Sequence, residues 1–152
     1  MSARPFSVDA HDYPRALKVA REDITVLASG DATGSYEIFL QRGVEGSGPL
    51  PHYHPWDEAF YVIKGSVDFI ASEGEARTAL AGTLVHFPAG TPHSFRWGPG
   101  GGEMLSITSK RGAARLFADL DREIGTGPRI PEKVDAIFAR HGLTRTGDDP
   151  SR

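Results

Sequence analysis

The chain has 152 residues, a formal net charge of −3 and a pI of about 6.0; it is long enough for one domain with its own apolar core, and it lacks the basic footprint of a nucleic-acid binder. It contains no cysteine, which removes disulfides, thiolate metal sites and a cysteine nucleophile. No apolar export segment opens the sequence and no run approaches the ~20 apolar residues that span a bilayer, so a cytoplasmic protein with neither nucleic-acid nor membrane partners is expected.

Taken in chain order, residues 1–15 carry weak signals and read as an arm. Residues 16–28 supply a first strand or two, with 24–27 the best candidate. A turn cluster at 29–34 leads into a strand at 35–42, and Gly43, Gly46, Gly48, Pro49 and Pro51 make 43–51 a loop. The apolar run at 58–63 fits a strand covered on both faces, and Gly65 ends it. An alternating strand follows at 66–69, then a hairpin turn at 72–75 into a strand at 76–81. Further strands are expected at 84–87, 92–97 and 103–108. Short strands joined by Gly and Pro turns predict an all-β sandwich or barrel. The pattern then changes period. Ala113, Leu116, Phe117, Leu120 and Ile124 share one helical face, and Gly125 is placed to cap it. Pro131 opens a second helix with Val134, Ile137 and Phe138 on one side, and Gly142 closes it. The expected division is an arm with first strands at 1–29, a barrel at 30–110, two helices at 111–142 and a frayed tail at 143–152.

The chemistry concentrates in two places. His52 and His54 are two residues apart, hence on one face of an extended segment, and Glu58 keeps that parity. His93 arrives on a separate predicted strand after a turn made by Pro88, Gly90 and Pro92. Three imidazoles and a carboxylate form a mixed N/O donor set suited to one divalent ion, whether Fe, Mn, Co, Ni, Cu or Zn. Phe60 and Val62 share the parity of Glu58, and Phe95 and Trp97 that of His93, which makes these four the candidates for a substrate pocket. Asp57 offers a carboxylate that could orient a ligand histidine through its second ring nitrogen. His86 has no ligand spacing, and His11 and His141 read as surface residues.

These residues closely resemble the cupin superfamily. Its first motif is matched by Gly46-x5-His52-x-His54-x3-Glu58-x6-Gly65, and its second by Gly82-x5-Pro88-x-Gly90-x2-His93. Trp97 stands where the second motif usually carries Asn, a residue that is not a metal ligand. The runs at 57–65 and 87–95 look most like small quercetinase-like monocupins. The resemblance implies a jelly-roll β-barrel, a metal held by His52, His54, Glu58 and His93, and a homodimer. Four protein ligands leave two positions of an octahedral ion for substrate, O₂ or water. The leading expectation is a dioxygenase acting on a small phenolic or enolisable substrate, with Glu58 as general base. Its rivals are a redox-neutral isomerase or cyclase, for example of polyketide-like intermediates, and a small-molecule-binding module without turnover.

Overall fold

The computed structural model of the chain describes residues 2–71, 74–109 and 111–147. The strands are β1 (Leu17–Val19), β2 (Glu22–Ala28), β3 (Tyr36–Gly43), β4 (His52–Tyr53), β5 (Glu58–Lys64), β6 (Ser66–Ala71), β7 (Ala76–Leu80), β8 (Leu84–Phe87), β9 (His93–Trp97), β10 (Gly102–Ser109) and β11 (Thr144–Arg145). Helices α1 (Gly30–Thr33), α2 (Ala113–Glu123) and α3 (Pro131–Arg140) complete the set. A six-stranded sheet in the order β1-β2-β3-β10-β5-β8 faces a five-stranded one in the order β11-β4-β9-β6-β7. All pairings are antiparallel. This is a jelly roll. The expected barrel takes the form of two facing sheets, each keeping its own edge strands.

Strand alternation decides which side chains enter the space between the sheets. Glu37, Phe39 and Gln41 of β3 stand opposite Thr108, Ser106 and Met104 of β10, which stand opposite Glu58, Phe60 and Val62 of β5. All nine are buried. One row therefore carries Glu58, the next Phe60, and the last Gln41 between Ile24, Met104 and Val62.

Two apolar clusters result. Phe60, Val62, Val67, Phe69, Phe87, Phe95, Trp97 and Met104 fill the interior between the sheets. Val19, Ile24, Phe39 and Trp56 meet the buried faces of α2 and α3, through Leu116, Leu120, Val134, Ile137 and Phe138. Both helices bury the stripe that the sequence predicts. Asp121 ties the arm to α2, accepting hydrogen bonds from the Lys18 N–H at 2.8 Å and the Arg15 guanidinium at 2.5 Å.

The turn at 29–34 tightens into α1, with Ser29 as N-cap and Gly34 at φ 83° as its left-handed stop. The hairpin turn expected at 72–75 lies partly outside the described residues; Gly74 donates its N–H to the Ala71 carbonyl. Residues 143–147 of the expected tail depart most from expectation, and 148–152 lie outside the described residues. Leu143 is 5% exposed within the helical cluster, and Thr144 and Arg145 pair with Tyr53 and His52 of β4. Short-range patterning cannot reveal such a strand, because its partner lies some ninety positions back along the chain. Among the described residues, no helix is long and apolar enough to cross a membrane.

Candidate metal centre

Strand pairing assembles the histidines. His52 on β4 is the register partner of His93 on β9, and their ring centroids lie 4.7 Å apart. His54 follows on the same face, with centroids 5.5 Å from His52 and 4.9 Å from His93. One ring nitrogen from each of the three lies within 4.8 Å of the others. Glu58 approaches from the opposite sheet, its Oε1 3.4 Å from both His54 Nε2 and His93 Nε2. All four side chains are buried. The structure thus brings together the four residues singled out in the sequence.

The second nitrogen of each ring determines the tautomer. His52 Nδ1 lies 2.7 Å from the Leu50 carbonyl oxygen, His54 Nδ1 2.9 Å from that of Trp56, and His93 Nδ1 2.8 Å from that of Thr91. A carbonyl oxygen only accepts, so each Nδ1 carries the proton and each neutral Nε2 presents a lone pair. His54 Nε2 and His93 Nε2 are buried with no hydrogen-bond partner. Lone pairs that face a carboxylate oxygen at 3.4 Å repel it unless positive charge sits between them. This donor set fits a divalent cation.

Without an ion, a proton between ring and carboxylate supplies that positive charge: burial pushes Glu58 up, but hydrogen bonds from the His54 and His93 rings, protonated at Nε2, outweigh that and hold the carboxyl at about 2. Burial, followed by the neighbouring His93, holds His52 at about 3. Near neutral pH, Glu58 is therefore ionised and His52 neutral, the forms that bind metal. Ser106 Oγ donates to Glu58 Oε2 at 3.1 Å, leaving Oε1 toward the histidines. Trp56 stacks on His54 at 4.6 Å and Phe87 on His93 at 4.6 Å, which fixes both ring planes. The backbone carbonyls perform the orienting role foreseen for Asp57, whose Oδ1 instead accepts from the Ala89 N–H. His11 and His86 are exposed, and His141 Nε2 lies 2.7 Å from Asp119 Oδ2 between α2 and α3.

A cavity of about 60 Å³ adjoins the site, with His52, His54 and Glu58 in its wall. Phe60 and Phe95 line it, whereas Val62 and Trp97 lie deeper, within the inter-sheet cluster. Trp97 Nε1 donates to Glu22 Oε1 at 2.7 Å, and its indole lies so close to Gly43 that a Cβ there would come within 1.9 Å of Nε1. The Trp at the usual Asn position thus anchors a buried carboxylate and needs glycine beside it. Leu116, Phe117, Leu120, Phe138 and Leu143 roof the cavity from the C-terminal segment. Sequence reasoning missed this roof, and also Glu22 and Gln41, two buried polar residues in the wall. Gln41 left a signal: it is a polar residue at the inward parity of β3. Glu22 left none.

Fold and motif point to one class: residues 39–108 of the chain match the family model described as Cupin domain. Over 100 residues it is 33% identical to a quercetin 2,3-dioxygenase of Bacillus subtilis (strain 168). That match spans 64% of this chain and 29% of the Bacillus protein, so the chain corresponds to less than a third of that relative's length. Among solved structures, KdgF from a Halomonas species superposes with a TM-score of 0.66 at 18% identity, covering 74% of this chain and 99% of that one. The polyketide cyclase RemF from Streptomyces resistomycificus gives 0.60 at 20% identity, over 70% of this chain and 79% of that one. At such identities the structures speak to the fold alone.

Proposed function

We infer that this chain holds one divalent metal ion through His52, His54, Glu58 and His93, and that it is a dioxygenase acting on a small phenolic or enolisable substrate. The observation that carries the reading is the set of three Nδ1-anchored imidazoles whose Nε2 atoms turn toward the Glu58 carboxylate. The similarity to quercetin 2,3-dioxygenase supports the choice of reaction. A redox-capable ion held there, such as Fe, Mn, Co, Ni or Cu, would supply electron-transfer chemistry toward O₂, whereas Zn would act only as a Lewis acid. Glu58, by releasing the ion, would be the base that accepts the hydroxyl proton of the substrate. Ser106 steadies the other carboxylate oxygen, and the apolar roof keeps bulk water from the ionised substrate. The cavity of about 60 Å³ is far below the ~300–1,000 Å³ of drug-sized pockets, which supports a small substrate; a flavonol would need the roof to withdraw.

Anaerobic protein loaded with Fe(II), Mn(II) or Ni(II) is expected to consume O₂ when given quercetin or a small enolisable hydroxyketone. No uptake across that panel would remove the oxygenase assignment. A redox-neutral isomerase or cyclase is the second reading, supported by the fold shared with RemF. Zinc bound as purified, with turnover indifferent to O₂, would favour it. The exposed apolar face of Tyr61, Ile63 and Leu84 on β5 and β8 supports a homodimer, which light scattering would test.

A further inference from the structure

Every inward polar group of the six-stranded sheet except two has a visible use. Glu37 accepts from the backbone N–H groups of Gly30 and Ala114, joining α1 and α2 to the sheet. Glu22 accepts from Trp97, and Ser106 donates to Glu58. Thr108 Oγ1 and Gln41 Oε1 are left without partners. Thr108 shares the row of Glu58 and stays out of the cavity wall, but Gln41 lines it. Gln41 is 3% exposed, and its row neighbours Ile24, Met104 and Val62 are apolar and buried. A carboxamide in an apolar row breaks the binary pattern of the strand and gains nothing for the fold, because its acceptor is desolvated and unpaired. Residues that violate local rules without structural return concentrate where a ligand supplies the missing partner.

Position then defines the ligand. Gln41 lies four residues along β3 from Glu37, which shares the row of Glu58, so the acceptor stands apart from the metal-binding end. Phe60 stands in the row between theirs, and Phe95 and Leu116 add apolar surface to the cavity wall. We propose that Gln41 is the specificity-determining residue of this cavity, accepting a hydrogen bond from a hydroxyl that the substrate carries at the end remote from its metal-binding oxygens. The assignment rests on the metal reading above and deepens it. The substrate class becomes an enolisable or phenolic molecule with a chelating head, an apolar middle and a distal hydroxyl. A site built to pair with a substrate hydroxyl rejects the analogue lacking it, because the buried acceptor is then stranded.

The test uses two hydroxypyranones with the same chelating head. Kojic acid carries a hydroxymethyl group where allomaltol carries a methyl. Each is titrated into the Co(II)-loaded full chain, and the change in visible absorption gives Kd. The parent protein is expected to bind kojic acid about tenfold more tightly or better. Gln41→Leu is expected to bring the ratio of the two constants close to one, with Co(II) content unchanged and a melting temperature at or above that of the parent. Discrimination that persists in Gln41→Leu, or its absence from the parent, overturns the assignment of Gln41 and leaves the metal reading intact. A parent protein that takes up no Co(II) overturns both together.

Discussion

The two apolar clusters differ in what surrounds them. Strands alone supply the cluster between the sheets, where the rings of Phe60, Phe69, Phe87 and Phe95 pack with centroids 5.2–6.3 Å apart. The other cluster joins strand residues to α2 and α3 and forms the roof of the cavity beside the donor set. Away from Phe60 and Phe95, which line the cavity, and Phe87, which stacks on His93, the first is sealed and only packs. The second packs and also controls access. A sealed cluster should register a substitution as lost stability, whereas a roof should register it as altered traffic to the site as well.

The harshest break is at the donors themselves. His54→Ala is expected to abolish stoichiometric Co(II) binding, a loss beyond the ~10–100-fold that follows disturbance of an outer-shell partner. Equilibrium dialysis reads this directly, and undiminished uptake would take His54 out of the donor set. Next comes the sealed cluster: Phe69→Ala should cost about 3–5 kcal/mol in urea unfolding while the folded fraction keeps its metal. In the roof, the Phe138 ring lies 5.8 Å from that of His52. Phe138→Ala should cost about 3 kcal/mol, at the lower end of that range, yet quicken extraction of Co(II) by EDTA several-fold. Equal extraction rates from the two Phe variants would erase the distinction drawn between the clusters.

Acid probes the same contrast in the metal-free protein. Unfolded His52 takes up a proton near the ordinary imidazole value of 6.5, but folded His52 only at about 3. Between those values the unfolded state holds the extra proton, so stability should fall as pH drops through that window and be flat above it. Glu58 adds to this lower down, since its carboxyl is protonated at about 4.5 when unfolded and about 2 when folded. His52→Gln should flatten the slope between pH 6.5 and 4.5, and an unchanged slope would show that other groups govern it. The smallest effect belongs to the tip of the β1–β2 hairpin. Ala20 and Arg21 have φ of 52° and 62°, the left-handed pair of a two-residue turn that asparagine or glycine fills at less cost. Ala20→Asn should raise stability by about 0.5–1 kcal/mol, visible as a small rise in melting temperature with Co(II) uptake unchanged.

The donor residues were legible because their geometry is local. His52, His54 and Glu58 fall within seven positions, and the strand period alone puts them on one face. The glycines and prolines before His93 mark the turn that delivers it. The helices were equally plain, since each is a single amphipathic stretch with its own start and stop. Trp97 could be noticed but not explained, because its partners Glu22 and Gly43 belong to strands far back in the chain.

Spacing and residue type by themselves thus pointed to the strand-rich class, the two helices and the four residues proposed as donors, since each signal lies in a short stretch of chain. Only the tertiary structure decided that the Nδ1 protons go to backbone carbonyls, that Leu143 and β11 close against β4, and that Gln41 faces a cavity without a partner. Those features arise where distant segments meet, and their energies depend on burial and contact across the fold, which no local pattern encodes.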